Sequence, residues 1–159
     1  ATLDLLDPQP PNVLSDEMVR YALYSQHLIS AVDSVCVCKF VYGPAWQLYS
    51  VEQWIDALKA ITGWNVSVWE LMKLGERRIN LLRAFNAREG VGAEADTLPH
   101  KLTVPLEGGA TDGVAVTQVE FDHAKALYYE MAGWDEDGYP KASKLKELSI
   151  AWAAEEVEL

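Results

Sequence analysis

The sequence predicts an all-α fold, a multihelical domain with one long irregular loop and little sheet. Three observations lead to this prediction. Apolar residues recur at helical rather than alternating spacing, residues that can cap a helix precede these runs, and Gly or Pro follows them. The chain has 159 residues, of which 50% are apolar, enough for one domain with a substantial core. We divide it into an extended lead-in, residues 1–14, and a helical domain, residues 15–159.

The lead-in is predicted to be extended because its three prolines exclude a helix. Ser15 can then cap a first helix that runs to about Val32. A short helical continuation is expected over residues 39–42, and the Gly43-Pro44 pair ends it.

Two capping boxes, Ser50-x-x-Gln53 and Ser67-x-x-Glu70, open the next two helices. The first is expected to reach about Ile61, and the second, the longest, about Arg88. The residues predicted to face the core are Trp54, Leu58 and Ile61 on the first helix and Leu71, Met72, Gly75, Ile79, Leu82 and Phe85 on the second. The predicted polar side of the longer helix comprises Glu76, Arg77, Arg78, Arg83 and Arg88. A solvated face explains these charges; the alternative is that one arginine faces a partner domain or an anionic ligand.

No helical period holds over residues 91–113, where Gly and Pro mark a long loop. Loops of this length are usually functional or are held by a partner surface. We allow for a short strand near residues 102–106 or 114–119. A further helix is expected over residues 120–132, followed by a last short helix over residues 141–148.

The composition excludes several functional classes. A net charge of −11 argues against a surface for nucleic acid or anionic membranes, and no apolar run reaches the roughly 18 residues of a membrane span. The acidic start does not resemble a signal peptide, and two cysteines are too few for a disulfide framework, so a cytoplasmic location is expected. The absence of an initial Met suggests a piece of a longer protein.

The segment Asp33-Ser34-Val35-Cys36-Val37-Cys38 contains both cysteines of the chain. A carboxylate can accept paired N–H donors from a flat heterocycle, and a thiolate can bind a soft metal. An iron–sulfur cube needs about four protein ligands, so most of them would have to come from another part of the protein. The plainer interpretation is that both cysteines are buried as small apolar residues.

Other chemistries find little support in the sequence. His27, His100 and His123 are isolated, no nucleophile elbow or phosphate-binding glycine loop is present, and no catalytic residue is predicted. A zinc-stabilised fold would need Cys36, Cys38 and a distant histidine, without the usual second ligand pair.

The motif Asp33-x-x-Cys-Val-Cys38 resembles the Asp-x-x-Gly-Leu-Cys motif of the tungsten-containing aldehyde ferredoxin oxidoreductases. The resemblance extends from about residue 20 to the end of the chain, in the order and spacing of that family's C-terminal part. Its further blocks are residues 75–90, residues 96–99, Tyr128-Tyr129, residues 133–140 and residues 145–148. The family's Gly is Cys36 here and its Leu is Val37.

The resemblance implies that residues 15–159 form the helical C-terminal domain of a longer oxidoreductase. In that family a tungstopterin cofactor, with tungsten or molybdenum held by two pterins, oxidises aldehydes to carboxylic acids, and a 4Fe-4S cluster passes the electrons to ferredoxin. By the same resemblance Asp33 binds a pterin, the Val37 backbone lines it, and Cys38 is the fourth cluster ligand. The upstream domains would supply the other three cysteines.

The resemblance leaves the aldehyde, the preferred metal and a homodimeric parent open. The fragment alone is expected to have no cofactor and no activity. The alternative function is a non-catalytic helical interaction or scaffold domain whose cysteines are structurally packed.

Overall fold

The computed structural model describes residues 9–10, 12–42 and 48–155, and within them it is built from α-helices without strands. The all-α prediction is therefore confirmed. In chain order the helices are α1 (Asp16–Ser34), α2 (Lys39–Tyr42), α3 (Val51–Thr62), α4 (Val68–Arg88), α5 (Gln118–Ala132), α6 (Ala142–Glu147) and α7 (Trp152–Glu155). The predicted stop at Gly43-Pro44 and most of the predicted lead-in lie outside the described residues.

The helices begin where capping chemistry predicts. The Ser15 hydroxyl accepts a hydrogen bond from the Met18 N–H at 3.2 Å, and both predicted capping boxes are formed. The helix predicted over residues 120–132 begins earlier, at Gln118, because Thr117 and Glu120 form a third capping box. Helix α7 was not predicted.

The long loop between α4 and α5 contains three short 3-10 helices, Ala93–Ala95, His100–Leu102 and Gly109–Thr111. The strands considered near residues 102–106 and 114–119 do not form. The Leu106 N–H does donate to the Val114 carbonyl at 3.1 Å, and the Val116 N–H donates to the Leu102 carbonyl at 3.0 Å. These bonds are too few for a ladder, and the part of the loop between them turns as a 3-10 helix instead.

Helix α1 packs against both α4 and α5. The crossing of α1 and α4 is tight at Gly75, where a Cβ atom would lie 1.8 Å from the His27 carbonyl oxygen and 2.9 Å from the Ala31 nitrogen. A Cβ cannot be accommodated at these distances, because both neighbours are backbone atoms. Gly75 therefore sets the distance between the two helices.

Three clusters of buried residues form the core. The first joins α1, α3 and α4 through Ala31, Val32, Trp54, Ile55 and Leu71. The second joins α4 to the C-terminal segment through Ala84, Leu145, Leu148, Ile150 and Ala153. The third joins α1 to α5 through Leu23, Tyr129, Ala132 and Trp134.

The predicted core faces of α3 and α4 are partly wrong. Ile61 is 83% exposed because it lies in the last turn of α3, beyond the part of the helix that packs into the core through Trp54 and Ile55. On α4, Leu82 and Phe85 are 52% and 53% exposed. The C-terminal half of α4 buries a different face, which meets the segment after α5.

The polar side predicted for α4 is also wrong at two positions, since Glu76 and Arg83 are buried. Glu76 receives a hydrogen bond from Lys73 of the same helix at 2.7 Å and one from Lys144 at 2.8 Å, and the second bond ties α4 to α6. Burial alone would raise the pKa of Glu76, but the two ammonium groups outweigh it and leave the pKa lowered. The buried carboxylate is thus kept ionised between two cations.

Candidate functional site

The candidate site is built on the turn that ends α1. The Cys36 N–H donates to the Asp33 carbonyl at 3.2 Å and the Val37 N–H donates to the Val32 carbonyl at 3.3 Å. This pair of bonds is the Schellman motif, which closes helices on a residue in the left-handed conformation. Cys36 is that residue, with φ of 57°.

The left-handed position explains why the glycine of the family motif suits this place, since glycine adopts positive φ without steric cost. Among the described residues, Cys36 and Ser149 are the two that have positive φ without being glycine. Cys36 thus completes the turn, at the cost of backbone strain.

The turn separates its apolar side chains from its polar ones. Val35 and Val37 pack against the first core cluster, beside Trp54 and Val32. Cys36 and Cys38 are both free thiols and both exposed, and the side chain of Asp33 is 48% exposed. The interpretation that the cysteines are buried as small apolar residues is therefore wrong. No three His, Cys, Asp or Glu side chains converge on a metal site in the described parts of the chain.

Arg78 of α4 faces the candidate site residue Asp33. Its Nη1 lies 3.4 Å from the Asp33 Oδ2 and 3.3 Å from the Ser30 Oγ. Ser30 is buried, so one contact of the guanidinium is to a fixed partner. A solvated face therefore does not fully describe Arg78, while the alternative that one arginine of α4 faces a partner domain or an anionic ligand stays a prediction.

A groove of about 690 Å³ runs between α1, α4 and α5, with Asp33 and Arg78 among the residues that line it. The volume is in the range of small-molecule sites. The apolar part of its lining includes Met18, Ala22, Ile29, Ile79, Leu82, Phe121 and Ala124. Leu82 is exposed because it borders this groove.

A buried polar cluster forms another part of the groove lining. Arg83 donates from Nη2 to the Asp96 Oδ2 at 2.6 Å and from Nε to the Gly138 carbonyl at 2.5 Å, and the Tyr129 hydroxyl donates to Asp96. Burial and the neighbouring carboxylate of Asp96 raise the pKa of Tyr129, and burial raises the pKa of Tyr128 to about 12. Both phenols therefore stay protonated at neutral pH. The cluster fixes the long loop against α4 and α5.

Replacing Cys36 with glycine is expected to stabilise the chain by about 0.5–1 kcal/mol, because the left-handed strain is relieved and the exposed thiol contributes little packing. The melting temperature should rise by about 1–4 °C, measured by circular dichroism.

The matched control is Ser149→Gly, the exposed residue with φ of 58°, which should shift the melting temperature in the same direction. A lower melting temperature for Cys36→Gly alone would show that the thiol makes a contact that outweighs the strain.

Comparison with known proteins shows similarity over most of the chain. Residues 4–150 match the profile of the family described as aldehyde ferredoxin oxidoreductase, domains 2 and 3. The tungsten-containing aldehyde ferredoxin oxidoreductase of Pyrococcus horikoshii is 34% identical over 143 residues, 88% of this chain and 22% of the relative. The WOR-like subunit of an aliphatic sulfonate oxidoreductase from Pyrococcus furiosus is 31% identical over 142 residues, 85% of this chain and 22% of the relative.

A similar fold is found in the active-site complex BamBC of benzoyl coenzyme A reductase, solved with 1,5-dienoyl-CoA. The TM-score is 0.75 at 20% identity, over 94% of this chain and 22% of that one. The chain spans about a fifth of the length of the curated relatives that it matches. Within the described residues, no helix combines the length and the hydrophobicity needed to cross a bilayer.

Proposed function

The chain belongs to the aldehyde ferredoxin oxidoreductase family, and from this premise we propose that it is the cofactor-binding C-terminal part of a larger tungsten or molybdenum oxidoreductase. The observation that carries the proposal is the turn after α1, where Asp33 and Cys38 are both exposed. The whole protein would oxidise aldehydes to carboxylic acids and pass the electrons through a 4Fe-4S cluster to ferredoxin. A cytoplasmic location belongs to this proposal, because two cysteines are too few for a disulfide framework.

The residues of the turn fit a pterin. An exposed carboxylate has about four lone-pair positions, and the contact with Arg78 occupies one oxygen of Asp33. The remaining positions can accept the paired N–H donors of an amino-pyrimidine edge. The Val37 N–H is already bonded to the Val32 carbonyl, so Val37 would line the pterin through its carbonyl side.

The turn also fits a single cluster ligand. The Cys38 thiol is exposed, and a 4Fe-4S cluster needs about four cysteines, so the other three would belong to the upstream domains of the same chain. When bound, tungstopterin supplies the two-electron chemistry and the cluster supplies the path for electrons. The residues of this chain bind and orient these groups; the fragment alone is proposed to be inactive. The proposal also includes a homodimeric full-length protein, which is inferred from the family.

The test is the composition and activity of the full-length protein, expressed with tungstate or molybdate and purified without oxygen. We expect tungsten or molybdenum, a pterin, and about four iron atoms per chain, together with aldehyde-dependent reduction of ferredoxin. Aliphatic sulfonates are a second substrate class to assay, because a relative carries that name. A well-folded protein that contains neither tungsten, molybdenum nor iron would contradict the proposal and favour the scaffold function.

A further inference from the structure

We propose that Arg78 is a positioning residue that holds the Asp33 carboxylate ready for the pterin. The inference rests on the proposed function, because it concerns how the proposed pterin ligand is oriented. Arg78 would act through Asp33 and would not contact the reacting atoms.

The geometry places the guanidinium between two residues of α1. Its Nη1 donates to the Ser30 Oγ at 3.3 Å and to the Asp33 Oδ2 at 3.4 Å. Ser30 is 3% exposed, so it gives Arg78 a fixed point of attachment on the helix that carries Asp33. The contact therefore limits where the carboxylate can turn.

The electrostatics of the helix end explain why a cation is needed there. Asp33 lies in the last turn of α1, where the helix dipole is negative and a carboxylate is disfavoured. That turn contains no basic residue, and the whole chain has a net charge of −11. Within the described residues, Arg78 is the cation that forms a salt bridge with Asp33. The positive charge of Arg78 offsets the unfavourable interaction between the Asp33 carboxylate and the negative end of the helix dipole.

The contact leaves the carboxylate available. It uses one nitrogen of Arg78 and one oxygen of Asp33, and no hydrogen bond to the Asp33 Oδ1 is found in the described part of the chain. A bidentate pair would have occupied both oxygens. Asp33 is thus held at one oxygen while the other can accept donors from a ligand.

The pair contributes little to the stability of the fold. The side chains of Arg78 and Asp33 are 41% and 48% exposed, and exposed ion pairs stabilise proteins only weakly. A loss of pterin binding on removal of Arg78 could therefore be separated from unfolding.

The experiment compares the full-length protein with its Arg78→Ala variant, both purified without oxygen. We expect the pterin content, measured by the fluorescence of the oxidised pterin, to fall about three- to tenfold. Iron content should stay unchanged and the melting temperature should stay within about 3 °C. Arg78→Lys should restore at least half of the loss, because the contact uses one N–H and a lysine can replace it.

The matched control is Arg88→Ala on the same helix. Its side chain is 47% exposed and pairs with Glu89 at 3.1 Å, about 15 Å along α4 from Arg78. Its pterin content should equal that of the unmodified protein.

Several outcomes would overturn the inference. Equal pterin in Arg78→Ala and the unmodified protein would remove the role of Arg78 and leave the proposed function standing. Loss of iron together with early melting would assign Arg78 a structural role instead, and an equal loss in Arg88→Ala would indicate a general charge effect. An unmodified protein without pterin would refute the proposed function, and the inference with it.

Discussion

Replacing Cys38 with alanine in the full-length protein is expected to destroy the proposed 4Fe-4S cluster while leaving the fold intact. The thiol is exposed, so its removal should change the free energy of unfolding by less than about 0.5 kcal/mol. The backbone of Cys38 still supports α2, because its carbonyl accepts hydrogen bonds from the N–H groups of Val41 and Tyr42 at 3.0 Å each. A cube that has lost one of about four ligands should lose iron.

The measurements are iron per chain and the electron paramagnetic resonance spectrum of the reduced protein. We expect about four iron atoms in the unmodified protein and three or fewer in Cys38→Ala, with loss of the spectrum of the reduced cluster. The matched control is Cys36→Ala, which also removes one exposed thiol from the same turn and should keep its iron. Unchanged iron in Cys38→Ala would disprove its assignment as a ligand and support a scaffold role for the domain.

Most helix boundaries could be predicted because their signals are local. A capping box relates residues three positions apart, and Ser15, Ser50 and Ser67 all act as predicted. The third box, at Thr117 and Glu120, has the same three-residue spacing and accounts for the start of α5 at Gln118. Gly63 and Gly133 adopt the left-handed conformation that ends α3 and α5.

The buried faces of α4 could not be predicted from periodicity, because the helix has different neighbours along its length. Its first half packs on α1 through Gly75, and its second half packs on the C-terminal segment through Ala84. Arg83 looked like a surface charge, but it is buried because Asp96 and the Gly138 carbonyl are brought to it from 13 and 55 residues away. No local pattern encodes such partners.

The sequence motif names candidate residues for the site, but it does not give their geometry. The motif identified Asp33 and Cys38 as candidates. The sequence does not predict the Schellman turn, because Cys36 occupies the left-handed position at which a glycine usually indicates one. The contact between Arg78 and Asp33 spans 45 residues, and the sequence does not distinguish Arg78 from the three other arginines on the predicted polar side of α4.

Replacing Gly75 with alanine is expected to lower the free energy of unfolding of the 159-residue chain by about 3 kcal/mol. The new Cβ would lie 1.8 Å from the His27 carbonyl oxygen, well inside a normal contact of roughly 3.5 Å. Relieving this overlap would require α1 and α4 to move apart. The buried side chains that pack between the two helices would then lose contacts. The melting temperature should fall by about 6–12 °C, measured by circular dichroism at 222 nm.

The sign of this effect distinguishes packing from helix propensity. A glycine-to-alanine change at an exposed helical position normally stabilises by about 1 kcal/mol, so propensity alone predicts a rise in melting temperature. Ala60→Gly, at an exposed position of α3, measures that propensity without a crossing helix and should destabilise by about 1 kcal/mol. If Gly75→Ala melts at or above the unmodified chain, α1 and α4 do not cross as closely as described, and the position of Arg78 beside Asp33 would lose its structural basis.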